Sequence, residues 1–559
     1  MPVLWFGTHN VLSSVKIAQT TVKPTEGPAQ LELGSSLSGL PNQNKCLSLP
    51  PLAVLLPYLD DYFTNFNAIV PLFDKKSFMG MINQSGVPEC DDTSIIALVN
   101  VVLALTYRHR ATTRPPIPCF DTAACITNAQ AAINSPSNSR HGLCNLQVLL
   151  GLAILEQGIP HQSRSPPTTS YIASAIKLAH GLGLHQSETN ALLDPEESCQ
   201  RVRVFWIAYI FDRDINIRKH EPPLQQERDH DIPIPCAGPG DSLVRFTSAS
   251  GMEVQVDFLQ LRIHLAYVQN TIYEQMYSVY ASSQTVGERE HNIAKIHAML
   301  GAWMAAVPPE LHPDRLAGAS PQCWVRQLVA LYFAYFACFQ HTHRVGSYDA
   351  EWVTRLVNYS HHATDPGSDE RVSTTGPGLA VPTTFSEPSA KWGELVSTAR
   401  QCGLLFRLVD PDDNALIWTT SCTYLSAALV LIANTMTVST RGAIEDGYDG
   451  HDSDAQLVAE VVAFLKRAAV EVPDLQAMHA ALAELSCRAR SVHIRSTWSR
   501  PGPKPASVAW LEGQARRTAQ HSALALVEAF TSSDVKPLAT RLRHSREVAG
   551  HRQRLEYLP

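Results

Sequence analysis

The sequence predicts an all-α protein, a large multi-helix bundle or array with a disordered N-terminal leader and mobile loops. Three observations lead to this prediction. Apolar residues recur at three-to-four spacing in most segments after residue 52. Residues that favour helix ends stand at the borders of those segments, and residues 52–240 show no convincing strand alternation. The 559 residues could hold two to four average domains, although a large helical region can form one unit.

The composition is that of an ordinary core-forming protein, with 45% hydrophobic and 17% charged residues. A formal net charge of −7 argues against a compact basic nucleic-acid-binding domain. The 12 cysteines are scattered without a Cys-x-x-Cys pair, which favours reduced core thiols in an intracellular protein over a disulfide framework. The N-terminus has no signal-peptide pattern, and the longest apolar runs, near 95–105 and 423–434, are too short for a membrane span. We therefore expect a soluble protein with no membrane partner.

The first elements follow a leader at residues 1–47, which is rich in Ser, Thr, Pro, Gly and Gln and reads as flexible. A helical pattern starts near Leu52, and aromatic residues then cluster around Pro71. Asp92-Thr93-Ser94 is a helix cap before a strongly apolar helix that runs through Leu105.

Two further helices precede the central stretch. One contains the apolar run 145–153. The next is expected over 171–182, with Ser170 as its N-cap and Gly183 as its C-cap, because glycine tolerates the left-handed conformation that ends many helices.

Residues 194–235 are the most informative stretch. Asp194 and Pro195 suit the N-cap and first position of a helix, and Glu196 and Glu197 suit its first turn. Between 204 and 211 the segment is apolar almost all round, so we expect other helices to surround it. The charges within it then need partners, because an unpaired charge in a core costs several kcal/mol or so. These charges are Arg201, Arg203, Asp212, Arg213 and Asp214.

The second half stays helical, without an internal repeat. Helices are predicted at 255–280, 290–306, 322–343, 391–409, 414–437, 455–488 and 507–530. Residues 361–390 are a Gly-, Pro-, Ser- and Thr-rich insertion that we expect to be mobile. The acidic stretch 445–454 is typical of a solvated connector, with an activation patch as the alternative. Prolines mark a linker near 501–505, and the basic tail 541–559 is typical of a solvated helix end, with nucleic-acid contact or nuclear import as the alternative.

The sequence assigns no catalytic, cofactor-binding or metal-binding residue. The pairs His341-x-His343 and His361-His362 lack partners at ligand spacing and are predicted to be surface or core histidines. Asp60-Asp61 superficially resembles the first magnesium motif of terpene synthases, but Thr64 and Asn65 stand where a further carboxylate would be expected. A solvent-facing acidic pair at a helix bend is the preferred interpretation.

Several short strings, in order and at consistent spacing, carry a family resemblance. Together they are similar to the signature of the fungal-specific transcription factor domain, the middle homology region of regulators of the Zn2Cys6 binuclear cluster family. The strings are Leu182-Gly183-Leu184-His185, Arg201-x-Arg203-x-Phe205-Trp206, Phe211-Asp212-Arg213, Pro222 and Asp231-Ile232-Pro233-Ile234-Pro235. The sequence departs from the family in having no run of six closely spaced thiolates beginning with Cys-x-x-Cys. Zinc is therefore expected only if such a cluster precedes this sequence.

The resemblance implies a nuclear regulator of transcription whose all-α regulatory domain controls or scaffolds and does not catalyse. It implies DNA as a partner, directly or through another transcription factor, together with the transcription machinery. It leaves open a small-molecule effector and a homodimer. Its targets would be metabolic or secondary-metabolite biosynthetic genes.

The expected organisation places the leader at 1–47 and the N-terminal helical core of the regulatory domain at 48–245. The helical region continues at 246–497, and 498–559 hold a linker, a helix and the basic tail. Two alternatives to the pathway regulator are a DNA binder that uses an unrecognised element such as the basic tail, and an all-helical enzyme such as a terpene synthase.

Overall fold

Helices make up nearly all of the regular structure in the computed structural model, which confirms the predicted all-α class. The described residues are 49–85, 92–110, 122–133, 142–157, 168–235, 243–364, 390–441, 450–471 and 475–498. In the first half the helices are α1 (Leu52–Asp61), α2 (Lys75–Ser85), α3 (Thr93–Arg110), α4 (Thr122–Ile133), α5 (Leu143–Gln157), α6 (Thr168–Gly181), α7 (Ser187–Ala191) and α8 (Pro195–Lys219).

A β-hairpin separates these helices from the second half. Its strands are β1 (Leu243–Thr247) and β2 (Glu253–Asp257), which pair antiparallel. The helices that follow are α9 (Phe258–Ile272), α10 (Val286–Ala306), α11 (Gln322–His343), α12 (Ala350–Thr364), α13 (Ala390–Phe406), α14 (Asn414–Arg441), α15 (Gly450–Glu471) and α16 (Leu475–Trp498). Their buried apolar side chains join those of the first half in one continuous core.

Most predicted helix positions agree with the structure. The end of α6 is an example, because a glycine cap marks it in both the sequence and the structure. Gly183 has φ of +72°, and its N–H donates to His180 O at 3.0 Å while Leu184 N–H donates to Ala179 O at 2.9 Å. This is the left-handed C-terminal cap that the glycine predicted. The N-cap prediction for Ser170 was wrong, because α6 begins at Thr168 and Ser170 lies within its first turn.

The hairpin and helices α2, α4, α7 and α12 were not individually predicted, and the helix predicted from residue 255 begins at Phe258 instead. In β1 the side chains of Val244 and Phe246 are buried and those of their neighbours are exposed. This alternation is present in the sequence, but a five-residue strand among long helical patterns carries little weight. The helix predicted at 455–488 is two helices, α15 and α16, and residues 472–474 between them lie outside the described part.

The solvated-connector prediction was wrong for Asp454. Helix α15 begins at Gly450 and carries Asp454 into the core, where its side chain is 0% exposed. Its carboxylate accepts hydrogen bonds from Arg400 Nε at 2.6 Å and from Asn434 Nδ2 at 3.0 Å. Predictions for the leader, for 365–389, for 445–449 and for everything after Trp498 concern residues outside those described.

Among the described residues, helix α14 has the longest apolar stretch. Its stretch Ala415–Thr437 is long and apolar enough to cross a membrane, and 89% of its most apolar window is buried inside the protein. The length argument made from 423–434 was therefore wrong, because the apolar stretch extends further in both directions. Burial on all sides by other helices is the environment of a core helix. Thr420 and Thr435 satisfy their hydroxyls by donating to carbonyls four residues earlier.

A glycine marks a close approach between α14 and the turn before α12. Gly346 has φ of +79°, and a Cβ on it would lie 2.4 Å from Ser426 Cβ and 2.9 Å from Ser426 Cα. Gly251 has a similar φ of +83°, but a Cβ there would meet nothing within 4 Å. The two positions therefore share the backbone constraint and differ in the space around them.

We expect Gly346→Ala to lower the free energy of unfolding by about 2–3 kcal/mol, because it adds a steric clash to the cost of a left-handed alanine. Gly251→Ala should cost only the backbone contribution, about 1 kcal/mol. Denaturant titration of both variants measures the difference. Equal losses of unfolding free energy in the two variants would show that α14 shifts to accommodate the Cβ at residue 346 without loss of stability.

Candidate functional site

Helix α8 and the segment after it form the structural centre of the predicted signature. Asp194 caps α8 by accepting Glu196 N–H at 3.1 Å, and Pro195 occupies the first helical position, as predicted. The helix ends at Lys219, and the C-cap residue His220 has φ of +57° and donates its N–H to Ile217 O at 3.3 Å. The left-handed residue reverses the chain, so that residues 221–235 run back along α8.

Trp206 holds this returning segment. Its side chain is 0% exposed, and its indole Nε1 donates to Pro233 O at 3.0 Å. The rings of Tyr209 and Tyr267 pack against it at centroid distances of 5.1 and 5.8 Å. The tryptophan therefore fills the core and ties the Asp-Ile-Pro-Ile-Pro string to the helix.

Asp212 is the centre of a buried polar network. Its Oδ1 accepts Asn216 Nδ2 at 2.7 Å and Leu224 N–H at 3.0 Å. Its Oδ2 accepts Arg213 Nη1 at 2.7 Å and Gln225 N–H at 3.0 Å. Burial raises the pKa of Asp212, although Arg213 and the donated hydrogen bonds oppose that shift. With both oxygens saturated, this carboxylate is available neither as a general base nor as a metal ligand.

Arg213 extends the network to the returning segment. Its Nη2 is 2.9 Å from Glu227 Oε1, and its guanidinium lies over the Tyr209 ring at 3.8 Å. The hydroxyl of Tyr209 donates to the same Glu227 oxygen. The guanidinium is planar, so Arg213 can donate to the carboxylates of Asp212 and Glu227 with its edge while its face stacks on the Tyr209 ring.

The other strings of the signature meet at the start of α8. Arg201 donates to Asn190 Oδ1 at 2.8 Å and to Leu182 O at 2.5 Å. Asp231 accepts Ser187 N–H at 2.6 Å and the Ser187 hydroxyl at 2.5 Å. The sequence predicted internal partners for the charges of α8, and the structure supplies them for Arg201, Asp212 and Arg213. Arg203 is half-buried, and Asp214 pairs with Arg262.

The acidic pair on α1 shows no metal-binding geometry. Asp60 is 74% exposed and binds Lys75 Nζ at 2.8 Å, and Asp61 accepts Asn65 Nδ2 at 2.7 Å. Asn65 thus holds a carboxylate where a terpene synthase would need another ligand. Within the described ranges, no group of three or more His, Cys, Asp or Glu side chains could hold a metal ion.

His341 and His343 are core residues, one of the two alternatives that the sequence left open. His341 Nδ1 lies 3.2 Å from His220 Nε2, and His343 Nε2 lies 3.0 Å from His297 Nε2. The ring of Tyr277 stacks on His220 at 3.8 Å. Sequence reasoning missed these partners because they lie 46 or more residues away, with no local pattern connecting them. The side chains of His361 and His362 are outside the described part.

Burial makes the stability of this region depend on pH. It lowers the pKa of His343 and of His220 to about 3, and that of His341 well below its ordinary range. In the unfolded chain the same rings take up protons near pH 6.5. The folded protein therefore binds fewer protons below that pH, and its free energy of unfolding falls as the pH drops.

We expect each such histidine to contribute about 1.4 kcal/mol per pH unit to this fall once the pH is well below 6.5. His343→Gln should make the dependence shallower by about that amount, whereas His291→Gln, at an exposed position, should leave it unchanged. Urea titrations at several pH values between 7.5 and 5 measure the slope. An unaltered slope in His343→Gln would contradict the burial of a neutral ring.

Comparison with known proteins places this network in a known domain. Residues 59–305 match the fungal specific transcription factor domain, a range that begins in α1, includes all of α8 and ends in α10. No solved structure matches.

Three relatives are named as transcription factors. An "ABC-transporter-regulating transcription factor" of Aspergillus oryzae is 30% identical over 315 residues, which are 56% of this chain and 35% of the relative. The "Fusaridione A cluster transcription factor fsdR" of Fusarium heterosporum is 26% identical over 310 residues, 55% of this chain and 56% of the relative. "Transcription factor sphG" of Aspergillus fumigatus is 24% identical over 256 residues, 42% of this chain and 33% of the relative. The matched part of this chain thus spans between a third and a little over half of these relatives.

Proposed function

We propose that the chain regulates transcription through an all-helical regulatory domain, because residues 59–305 match the fungal specific transcription factor domain. The observation that supports this most is the convergence of the signature strings on one buried network around Trp206 and Asp212. In that network both Asp212 oxygens accept hydrogen bonds, and Arg213 is paired with Asp212 and Glu227. A regulatory or scaffolding role suits such a centre better than catalysis does.

The relatives support a role in metabolic gene control. One is named for a metabolite gene cluster and another for regulating an ABC transporter. We propose that this chain controls a metabolic or secondary-metabolite biosynthetic gene cluster from the nucleus. DNA would be reached directly or through a partner transcription factor. The terpene synthase alternative gains no support, because Asp60 and Asp61 are engaged by Lys75 and Asn65.

Transcript profiling of a deletion strain tests the proposal. We expect a compact set of metabolic genes to change, and a tagged copy of the full chain to restore them and to accumulate in the nucleus. Restoration should fail with a tagged copy that is excluded from the nucleus by an added export signal. An unchanged transcriptome across conditions that induce secondary metabolism would contradict the proposal.

A binding assay separates the two routes to DNA. Promoter fragments of the affected genes are incubated with the purified chain, with and without nuclear extract from the deletion strain. A shift with the chain alone indicates direct binding. A shift that requires the extract indicates a partner factor.

A further inference from the structure

A cavity of about 170 Å³ lies beside the C-terminal half of α8. Helices α3, α5, α9, α11 and α14 surround it. Two of these, α11 and α14, lie after residue 305, so the cavity joins the matched domain to the helices that follow it. Most of its lining is apolar, including Phe66, Phe211, Phe258, Leu331 and Leu416.

Charged side chains interrupt this apolar lining, and two of them, Arg262 and Arg326, are paired with carboxylates. Arg262 Nη2 lies 2.9 Å from Asp214 Oδ2, with both residues in the lining. Arg326 also lines the cavity and forms a bidentate pair with Asp413, with Nη2 2.9 Å from Oδ1. These two arginines therefore bring no surplus charge to the cavity.

Two further arginines in the lining are less completely matched. Arg108 donates to Leu155 O, and burial lowers its pKa to about 10, with Arg326 acting in the same direction and Glu156 and Asp413 opposing. Arg218 lies in the last turn of α8, and within the described part of the chain it forms neither an ion pair nor a hydrogen bond. Arg108 and Arg218 thus form no ion pair with a carboxylate in the described part of the chain, and only Arg218 also lacks a hydrogen bond there.

A second unused donor lies in the same lining. Gln157 Nε2 is buried and has no hydrogen-bond partner among the described residues. A buried donor that lacks an acceptor is destabilising, so Gln157 favours an acceptor supplied from outside the protein. Arg218 is half-buried, and a carboxylate in the cavity would give its guanidinium a charged acceptor. An anionic acceptor would satisfy the arginine and could also accept from the amide.

We propose that this cavity binds a small organic monoanion, a monocarboxylate whose hydrocarbon body packs among the apolar side chains and whose carboxylate pairs with Arg218. A cavity of roughly 150 Å³ accommodates a benzene-sized body, so the ligand is a medium-chain or aromatic acid and not a long lipid. Arg218 is the one lining arginine with neither a hydrogen bond nor an ion pair in the described part of the chain, which favours a ligand with one carboxylate. The regulatory meaning of this binding depends on the proposed function, because an occupied cavity would link the matched domain to α11 and α14.

Octanoate is the probe, and octanamide, with the same chain and no charge, is its control. Calorimetric titration of the full purified chain should give saturable one-to-one binding of octanoate and about tenfold or greater weakening for octanamide. This comparison requires no variant. Octanoate should also raise the melting temperature of the protein.

Three variants locate the binding. Arg218→Gln should weaken octanoate binding about tenfold or more, and Ala334→Leu should abolish it by filling the cavity. Arg228→Gln removes an exposed arginine outside the lining and should leave binding unchanged. Absence of octanoate binding to the unsubstituted chain overturns the proposal. Equal affinity for octanamide, or undiminished binding in both Arg218→Gln and Ala334→Leu, also overturns it.

The binding measurement is independent of transcription. Octanoate binding in a chain whose deletion leaves the transcriptome unchanged would support the cavity assignment and contradict the proposed function. A changed transcriptome without octanoate binding would support the proposed function and contradict the cavity assignment.

Discussion

Asp212→Ala is expected to lower the free energy of unfolding by about 3–5 kcal/mol, because it leaves Arg213 charged in the core without its nearest carboxylate. The substitution also removes the acceptor for two backbone N–H groups, those of Leu224 and Gln225. Those groups hold the chain where it turns back along α8. Asp212→Ala should therefore also weaken the packing of residues 221–235 against α8.

Asp60→Ala is the matched control. Its ion pair with Lys75 has an N–O distance of 2.8 Å, close to the 2.7 Å between Arg213 and Asp212. The Asp60 and Lys75 side chains are 74% and 56% exposed, whereas those of Asp212 and Arg213 are 0% exposed. An exposed pair contributes about 0–1 kcal/mol. Denaturant titration of the two variants measures the loss in free energy of unfolding for each. Similar losses would contradict the expectation that the buried Asp212 network contributes more stability than the exposed pair.

A double variant separates the charge from the packing. Arg213→Met in the Asp212→Ala background removes the stranded charge while keeping most of the side-chain volume. The double variant should be more stable than Asp212→Ala alone, because the isolated buried guanidinium is the costly species. If adding Arg213→Met lowers stability further, the arginine depends chiefly on Tyr209 and Glu227 and not on Asp212.

The helices were predictable because their information is local. Cap residues and apolar periodicity occur within a few residues of each other, as Asp194, Pro195 and Gly183 show. Asp454 marks the limit of this reasoning. A run of acidic residues looks solvated in a sequence, and only the position of α15 against Arg400 and Asn434 makes one of them a core residue.

The partners of α8 could be expected but not identified. The sequence required that Asp212 be satisfied, yet two of its four donors are backbone N–H groups that approach only after the left-handed turn at His220. The cavity is harder still to anticipate. Its lining comes from six helices together with residues around Phe66, and the unmatched charge of Arg218 depends on which other arginines found carboxylates.

Trp206→Ala is expected to lower the free energy of unfolding by about 3–5 kcal/mol, since it leaves a large cavity in the centre of the core. It also deprives Pro233 O of its donor and frees the string 231–235 from the helix. Limited proteolysis should therefore cut the variant within 221–235 under conditions in which the unsubstituted chain stays intact. Melting temperature and cleavage sites are the two measurements.

Trp206→Phe and Tyr280→Ala separate the contributions. Phenylalanine retains much of the ring packing and loses the hydrogen bond to Pro233, so its cost should be smaller, about 1–3 kcal/mol, with cleavage still enhanced. Tyr280 is 68% exposed, and its replacement should change stability by less than about 0.5 kcal/mol. An unchanged melting temperature in Trp206→Ala would refute the core position of the tryptophan. Destabilisation without cleavage in 221–235 would instead show that Asp212, and not Trp206, fixes the returning segment.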